Sequence, residues 1–164
     1  MEVLSKSLAE TKAVASVFLD FLVEPSEKGK KSSATIVGLH GDLGSGKTTF
    51  TQAIAKTLGV EERVTSPTFV IMKNYRISCQ GLPLTQGKGN PFYLWKRLIH
   101  IDAYRLDKAE ELKKLNWSEL ISDPINLILI EWPERVAEIL PPDLISINFK
   151  FIDEATRQIS YEEI

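Results

Sequence analysis

The stretch Gly41-Asp42-Leu43-Gly44-Ser45-Gly46-Lys47-Thr48 has the spacing G-x-x-x-x-G-K-[ST], which suits a loop that holds a chain of phosphates. Glycines let backbone N–H groups turn inward and surround phosphate oxygens that side chains would obstruct. Lys47 can reach the β- and γ-phosphates, and the Thr48 hydroxyl can bind Mg²⁺. Thr49 continues into a predicted helix, whose N-terminus adds unpaired donors and a partial positive charge. The alternative is a glycine-rich turn with a solvated lysine. The apolar strand expected before the loop and the helix expected after it favour the phosphate reading. A nucleotide held this way can pass its terminal phosphoryl group to a substrate, lose it to water, or simply stay bound.

Phosphoryl chemistry in such a loop needs an acid opposite it, usually at the carboxyl end of a buried neighbouring strand. Glu131 stands where the apolar run "LILI" stops, as a metal ligand or as a solvated strand end. Asp102 ends the strand "LIHID". It can hold the metal through water, align the attacking water, or serve as a capping or ion-paired carboxylate with Arg105. His100 shares a strand face with Asp102, and a structural histidine is the favoured reading there. Ser66 or Thr68, in "TSPTF", lies where many P-loop switches bring a hydroxyl towards the γ-phosphate; a plain turn fits the pattern equally well.

These residues require elements to position them. Leu4, Leu8, Val14, Val17, Phe18, Phe21 and Leu22 largely follow helical spacing and predict an N-terminal amphipathic helix. A strand over "ATIVGLH" precedes the loop, and a helix from about Thr48 to Leu58 follows it, stopped by Gly59. "VTSPTFVIMKNYRI" reads as a turn running into a strand. "DKAEELKKLNWSELI" predicts one helix, capped by Asp107 with Glu110 completing a capping box. "NLILIEW" reads as a strand buried on both faces. A short helix at about Glu134 to Ile139 and two strands, "DLISINFKF" and "TRQISYEEI", complete the chain. Strands alternating with helices predict an α/β mixed sheet with a parallel centre and antiparallel additions, in the three-layer P-loop NTPase arrangement. Residues 1–164 read as a single domain.

Composition narrows the function. At 164 residues, with 43% hydrophobic and 26% charged residues, the chain is long enough for one substantial core. A net charge of −2 provides no bulk attraction for nucleic acid, so no DNA partner is expected. The single cysteine, Cys79, excludes an internal disulfide and a cysteine-based zinc site, and reads as an ordinary thiol. The absence of a signal-peptide pattern or a long apolar run predicts a cytoplasmic protein without a membrane span.

"GDLGSGKTTF", "TSPTF", "HIDAYRL", "AEEL" and "LIEWPE" together resemble the TsaE family in order and approximate spacing, over most of the chain. H-x-D-x-Y-R combined with I-E-W-P is far more specific than the phosphate loop alone. The resemblance implies a small bacterial ATPase that uses ATP and Mg²⁺ and works with TsaB and TsaD proteins. Those partners help install threonylcarbamoyl on adenosine 37 of tRNA, so tRNA would be met indirectly, through the complex. It further implies that Lys47 and Thr48 hold phosphates and Mg²⁺, that Glu131 is the second metal ligand, and that Asp102 is needed for hydrolysis. Thr68 falls in the switch-like segment. By the same resemblance Trp132 contacts the nucleotide, supports the site or packs in the core, and Leu8 and Thr11 lie where family members approach the adenine.

The sequence departs from the family pattern at "SCQGLPLTQGKGNPFYLWKR", residues 78–97, which read as an inserted loop or hairpin. Phe92, Tyr93 and Trp95 beside Lys96 and Arg97 form either a contact surface or, as favoured, ordinary strand residues. A small-molecule kinase remains the alternative function, weakened by the lack of an arginine cluster for a lid. A GTPase is disfavoured because no N-K-x-D motif is present.

Overall fold

A computed structural model describes residues 1–23, 32–78 and 95–162. Its frame is one seven-stranded sheet. The strands are β1 (Glu2–Ser5), β2 (Thr35–His40), β3 (Met72–Arg76), β4 (Arg97–Asp102), β5 (Asn126–Glu131), β6 (Ile145–Phe151) and β7 (Arg157–Tyr161), in the order β1-β7-β6-β2-β5-β4-β3. β6, β2, β5 and β4 run parallel, while β3, β7 and β1 add antiparallel. This is the mixed sheet with a parallel centre that the alternation of strands and helices predicts.

The sequence of β5 explains its place. All six residues of Asn126–Glu131 are buried, as a strand with parallel neighbours on both sides requires. One face of the sheet is covered by α1 (Leu8–Val23) and α2 (Lys47–Thr57). There Val14, Phe18, Leu19 and Leu22 meet Phe50 and Ile54 over Val37, Leu39, Leu127 and Leu129. The other face carries α3 (Ala109–Lys113), α4 (Trp117–Ser122) and a 3-10 segment (Pro133–Ile139). Leu106, Leu112, Trp117 and Val136 pack there on Ile36, Ile99, Ile101, Ile128 and Ile130. The alternation of side chains along each central strand supplies both cores and makes the fold three-layered.

Several expectations are corrected. The N-terminus opens with strand β1, paired to β7 from Glu2↔Ser160 to Ser5↔Arg157, and the helix begins only at Leu8. Leu4 thus lies on β1 rather than on the helix, and Leu4, Leu8 and Val17 are all exposed. The helix predicted over "DKAEELKKLNWSELI" is two, broken at Asn116, which adopts a left-handed conformation (φ 59°). Its start is held by Glu111, whose Oε1 accepts from the N–H groups of Asp107 (3.0 Å) and Lys108 (3.1 Å); Glu110 faces solvent and pairs with Lys113. Gly59 does end α2, at φ 72°, in a Schellman-type turn with Gly59 N–H to Lys56 O and Val60 N–H to Ala55 O. Of the segment 78–97, residues 79–94, including Cys79, Phe92 and Tyr93, lie outside the described residues. Trp95 is core: it is buried, and its indole N–H donates to Thr35 Oγ1 (3.0 Å). No helix among the described residues is long and apolar enough to cross a membrane.

Candidate functional site

The loop between β2 and α2 follows from its glycines. Gly41, Gly44 and Gly46 all have positive φ (134°, 77° and 105°), which L side chains rarely adopt. At Gly41 space also decides, because a Cβ there would sit 2.2 Å from the Phe149 carbonyl oxygen on β6. Gly46 stands at the start of α2, so the N–H groups of its first turn lack intrahelical acceptors. Ser45 Oγ, inside the loop, is buried with no hydrogen-bond partner among the described residues. Backbone donors beside an unpartnered buried hydroxyl fit a phosphate.

Lys47 is buried, and its ammonium donates to the carbonyls of Gly41 (2.6 Å) and Asp42 (2.9 Å), 4.2 Å above the Trp132 ring centre. Burial pushes this amine below the ordinary lysine value, against the opposing pull of Glu131, Asp102, Glu134 and Asp42. Gly41 and Asp42 thus serve the lysine, whereas Leu43, Gly44, Ser45, Gly46, Lys47, Thr48 and Thr49 line the cleft itself.

β4 and β5 deliver the acids. Their parallel register pairs Asp102 with Glu131, so the two carboxylates emerge side by side at the strand ends. Both are almost fully buried. Glu131 Oε1 accepts from Thr48 Oγ1 (2.8 Å) and from His100 Nε2 (2.8 Å). Asp102 Oδ2 accepts from Thr68 Oγ1 and from Ser66 Oγ (3.2 Å), while Oδ1 accepts from the Tyr104 N–H (3.0 Å). The "TSPTF" turn therefore meets Asp102 through both of its candidate hydroxyls. Arg105 does not pair with Asp102; it stacks on the Phe69 ring, 4.4 Å away.

These groups border a cleft of about 850 Å³, a size common for small-molecule sites. Trp132 forms part of its wall in a left-handed conformation (φ 60°), fixed by its N–H to Leu39 O (3.2 Å) and by the Tyr104 ring at 5.1 Å. A strained bulky residue at a cleft wall is a mark of a site shaped for a ligand. Thr11 also lines the cleft, but its hydroxyl is already engaged with Ser5 Oγ (2.7 Å) and Ser7 O (3.3 Å).

Thr48 and Glu131 supply a hydroxyl and a carboxylate within hydrogen-bonding distance, the hard oxygen donors that suit Mg²⁺. No group of three or more His, Cys, Asp or Glu side chains that could cage a metal gathers among the described residues. Mg²⁺ commonly binds instead through one or two protein oxygens together with phosphates. The residues present fit that mode.

Sequence reasoning missed the far wall of the cleft, which includes Ser7, Phe149, Glu154 and Arg157. Arg157 Nη1 donates to the carbonyls of Asp153 and Thr156, placing its side chain beside Gly46. Only the pairing of β7 with β1 and β6 brings these residues to the loop. The turn "DEATR" was the available signal.

A glycine loop joining a central parallel strand to a helix, with buried acids at the ends of the next two strands, defines a protein of the P-loop α/β class. The chain belongs to the TsaE family: the family model for "Threonylcarbamoyl adenosine biosynthesis protein TsaE" matches residues 5–159. Among similar proteins, the tRNA threonylcarbamoyladenosine biosynthesis protein TsaE of Rickettsia felis is 37% identical over 126 residues. That match spans 76% of this chain but 63% of that protein, under two thirds of its length. The proteins of the same name from Rickettsia typhi and Bacillus subtilis are 34% and 32% identical. Each match covers 94% of this chain, with 89% and 80% of the relative. The crystal structure of Bacillus subtilis YdiB superposes with a TM-score of 0.64 at 25% identity, over 98% of this chain and 83% of that one.

Proposed function

We propose that this chain is a Mg²⁺-dependent ATPase of the cytoplasm that assists threonylcarbamoylation of adenosine 37 in tRNA, its hydrolysis driving or resetting a TsaB–TsaD type complex. The observation that carries the reading is the pairing of Asp102 with Glu131 at the strand ends, beside the loop that presents Lys47 and Thr48. A site for phosphate binding alone has no need of two buried carboxylates there. Family membership supports the tRNA-modification setting.

In this reading the loop N–H groups and Lys47 hold the phosphates. Lys47 first exchanges the Gly41 and Asp42 carbonyls for phosphate oxygens, which keeps its charge compensated throughout. Thr48 and Glu131 would hold Mg²⁺, directly or through water. When bound, the ion neutralises charge on the phosphates. Asp102 is the group that orients the attacking water and takes up its proton. Three donors fix its carboxylate, so little reorganisation remains at the moment of reaction. Phe69 and Val70, exposed on the turn that supplies Thr68, link that carboxylate to whatever docks outside.

The test is phosphate release from ATP by the chain alone and with the TsaB–TsaD pair. Slow release alone and clear stimulation by the pair are expected. Equal, fast turnover in both conditions would remove the switch role, and phosphate appearing on a small-molecule acceptor would establish a kinase instead.

A further inference from the structure

His100 is fully buried in the middle of β4, with Leu98, Ile99 and Ile101 equally buried around it. A leucine would fit such a strand without burying polar atoms. One ring nitrogen is satisfied: Nε2 lies 2.8 Å from Glu131 Oε1. A carboxylate only accepts, so Nε2 carries the proton in that bond. The other nitrogen, Nδ1, is buried with no hydrogen-bond partner among the described residues. A histidine retained for core stability would be expected to have both nitrogens satisfied. Here a buried unpartnered nitrogen is tolerated while the single polar bond goes to one oxygen of Glu131.

That same oxygen also accepts from Thr48, whose hydroxyl is assigned above to the cation. A cation would take a lone pair of the Thr48 hydroxyl and leave its proton free to donate, but that bond then follows the ion and cannot hold Glu131 independently of it. His100 can, because its ring is locked in the core and its donor stays aimed at Oε1.

We propose that His100 is a positioning residue for the cation end of the site, holding the Glu131 carboxylate in its binding orientation through the Nε2–H bond. This rests on the reading of Thr48 and Glu131 as the groups that hold the ion. Removing such a supporting donor from a metal-binding side chain typically weakens metal affinity about 10–100-fold.

The test compares His100→Gln, whose amide N–H₂ reaches as far as Nε2, with His100→Asn, whose amide is too short to reach Oε1. Both substitutions bury an amide, and urea denaturation of each variant separates a loss of folding from a loss of positioning. The readout is the ratio of ADP dissociation constants in EDTA and in Mn²⁺, with the Mn²⁺ electron paramagnetic resonance signal as a second probe. His100→Asn is expected to reduce the ratio about tenfold or more, with ADP affinity in EDTA unchanged. His100→Gln is expected to keep the ratio near wild type and to preserve the Mn²⁺ signal. If the two variants match each other, whether both normal or both impaired, the positioning role is wrong and the site assignment stands. If wild type itself shows no effect of Mn²⁺ on ADP binding, the cation assignment fails, and this inference with it.

Discussion

In the proposed mechanism Lys47 and Asp102 divide the work of the site, and each should leave a separate trace when removed. Lys47 is the charged group proposed to meet phosphates, and its ammonium is held by the carbonyls of Gly41 and Asp42 in the same loop. Lys47→Ala should abolish nucleotide binding, measured by calorimetry with ADP. Asp102→Asn should leave that binding intact, because Asp102 lies on β4 and is no part of the loop. The glycines separate in the same way. Gly41→Ala drives a methyl group against the Phe149 backbone and should disrupt the packing of the loop on β6. Gly44→Ala meets open space, so its cost is the left-handed backbone alone, about 1–2 kcal/mol. Urea denaturation should therefore rank Gly41→Ala as much the more damaging. At this scale the sequence was highly legible. Lys47, Thr48, Glu131 and Asp102 are marked by motif and by where apolar runs stop. The bond of Thr68 to Asp102 was not legible, because it joins a turn to a strand 34 positions away.

Among the elements, the best-read were those with long apolar runs. β2, β4 and β5 are flanked by parallel neighbours, or lie beneath packed helices, and their composition says so. β1 was lost because a four-residue strand ahead of a helix adds nothing to periodicity, and its partner β7 is at the other end of the chain. The break at Asn116 was lost because the apolar spacing runs through it, and only the left-handed conformation there turns the second helix. α1 is bound to the sheet by Phe18, whose ring meets those of Phe50 (5.8 Å) and Tyr161 (5.0 Å). Phe18→Ala should cost about 3–5 kcal/mol of stability, read by thermal or urea denaturation. The β6–β7 turn depends on Asp153, whose Oδ1 accepts from the N–H groups of Ala155 (2.9 Å) and Thr156 (2.8 Å). Those bonds hold its carboxyl below the usual aspartate value. The sign follows: the turn is fully supported above the ordinary aspartate value and loses that support as pH falls through the lowered one. Exchange at the Ala155 and Thr156 amides, taken relative to the intrinsic rate at each pH, should rise in that acidic window, and in Asp153→Ala it should already be raised above that window.

The whole molecule places its chemistry at one end of the sheet, where the carboxyl ends of β2, β4 and β5 open onto a single cleft. This is the general position for ligands in open α/β sheets, and it explains why so much of the site was visible in the sequence. The near wall comes from local motifs at strand ends. The far wall, with Ser7, Glu154 and Arg157, comes from antiparallel additions whose pairing spans the whole chain, and the turn "DEATR" alone does not say which element it meets. The two walls differ in what holds them. Buried parallel strands fix the acids, while the turn carrying Ser66 and Thr68 meets Asp102 through both hydroxyls and exposes Phe69 and Val70. A partner pressing on that turn would act directly on the carboxylate assigned to hydrolysis. The most direct measurement is a single turnover of prebound ATP by wild type and Asp102→Asn, each with the TsaB–TsaD pair. Both should bind ATP equally and only wild type should yield ADP and phosphate. Hydrolysis by Asp102→Asn at the wild-type rate would contradict the assignment of this site.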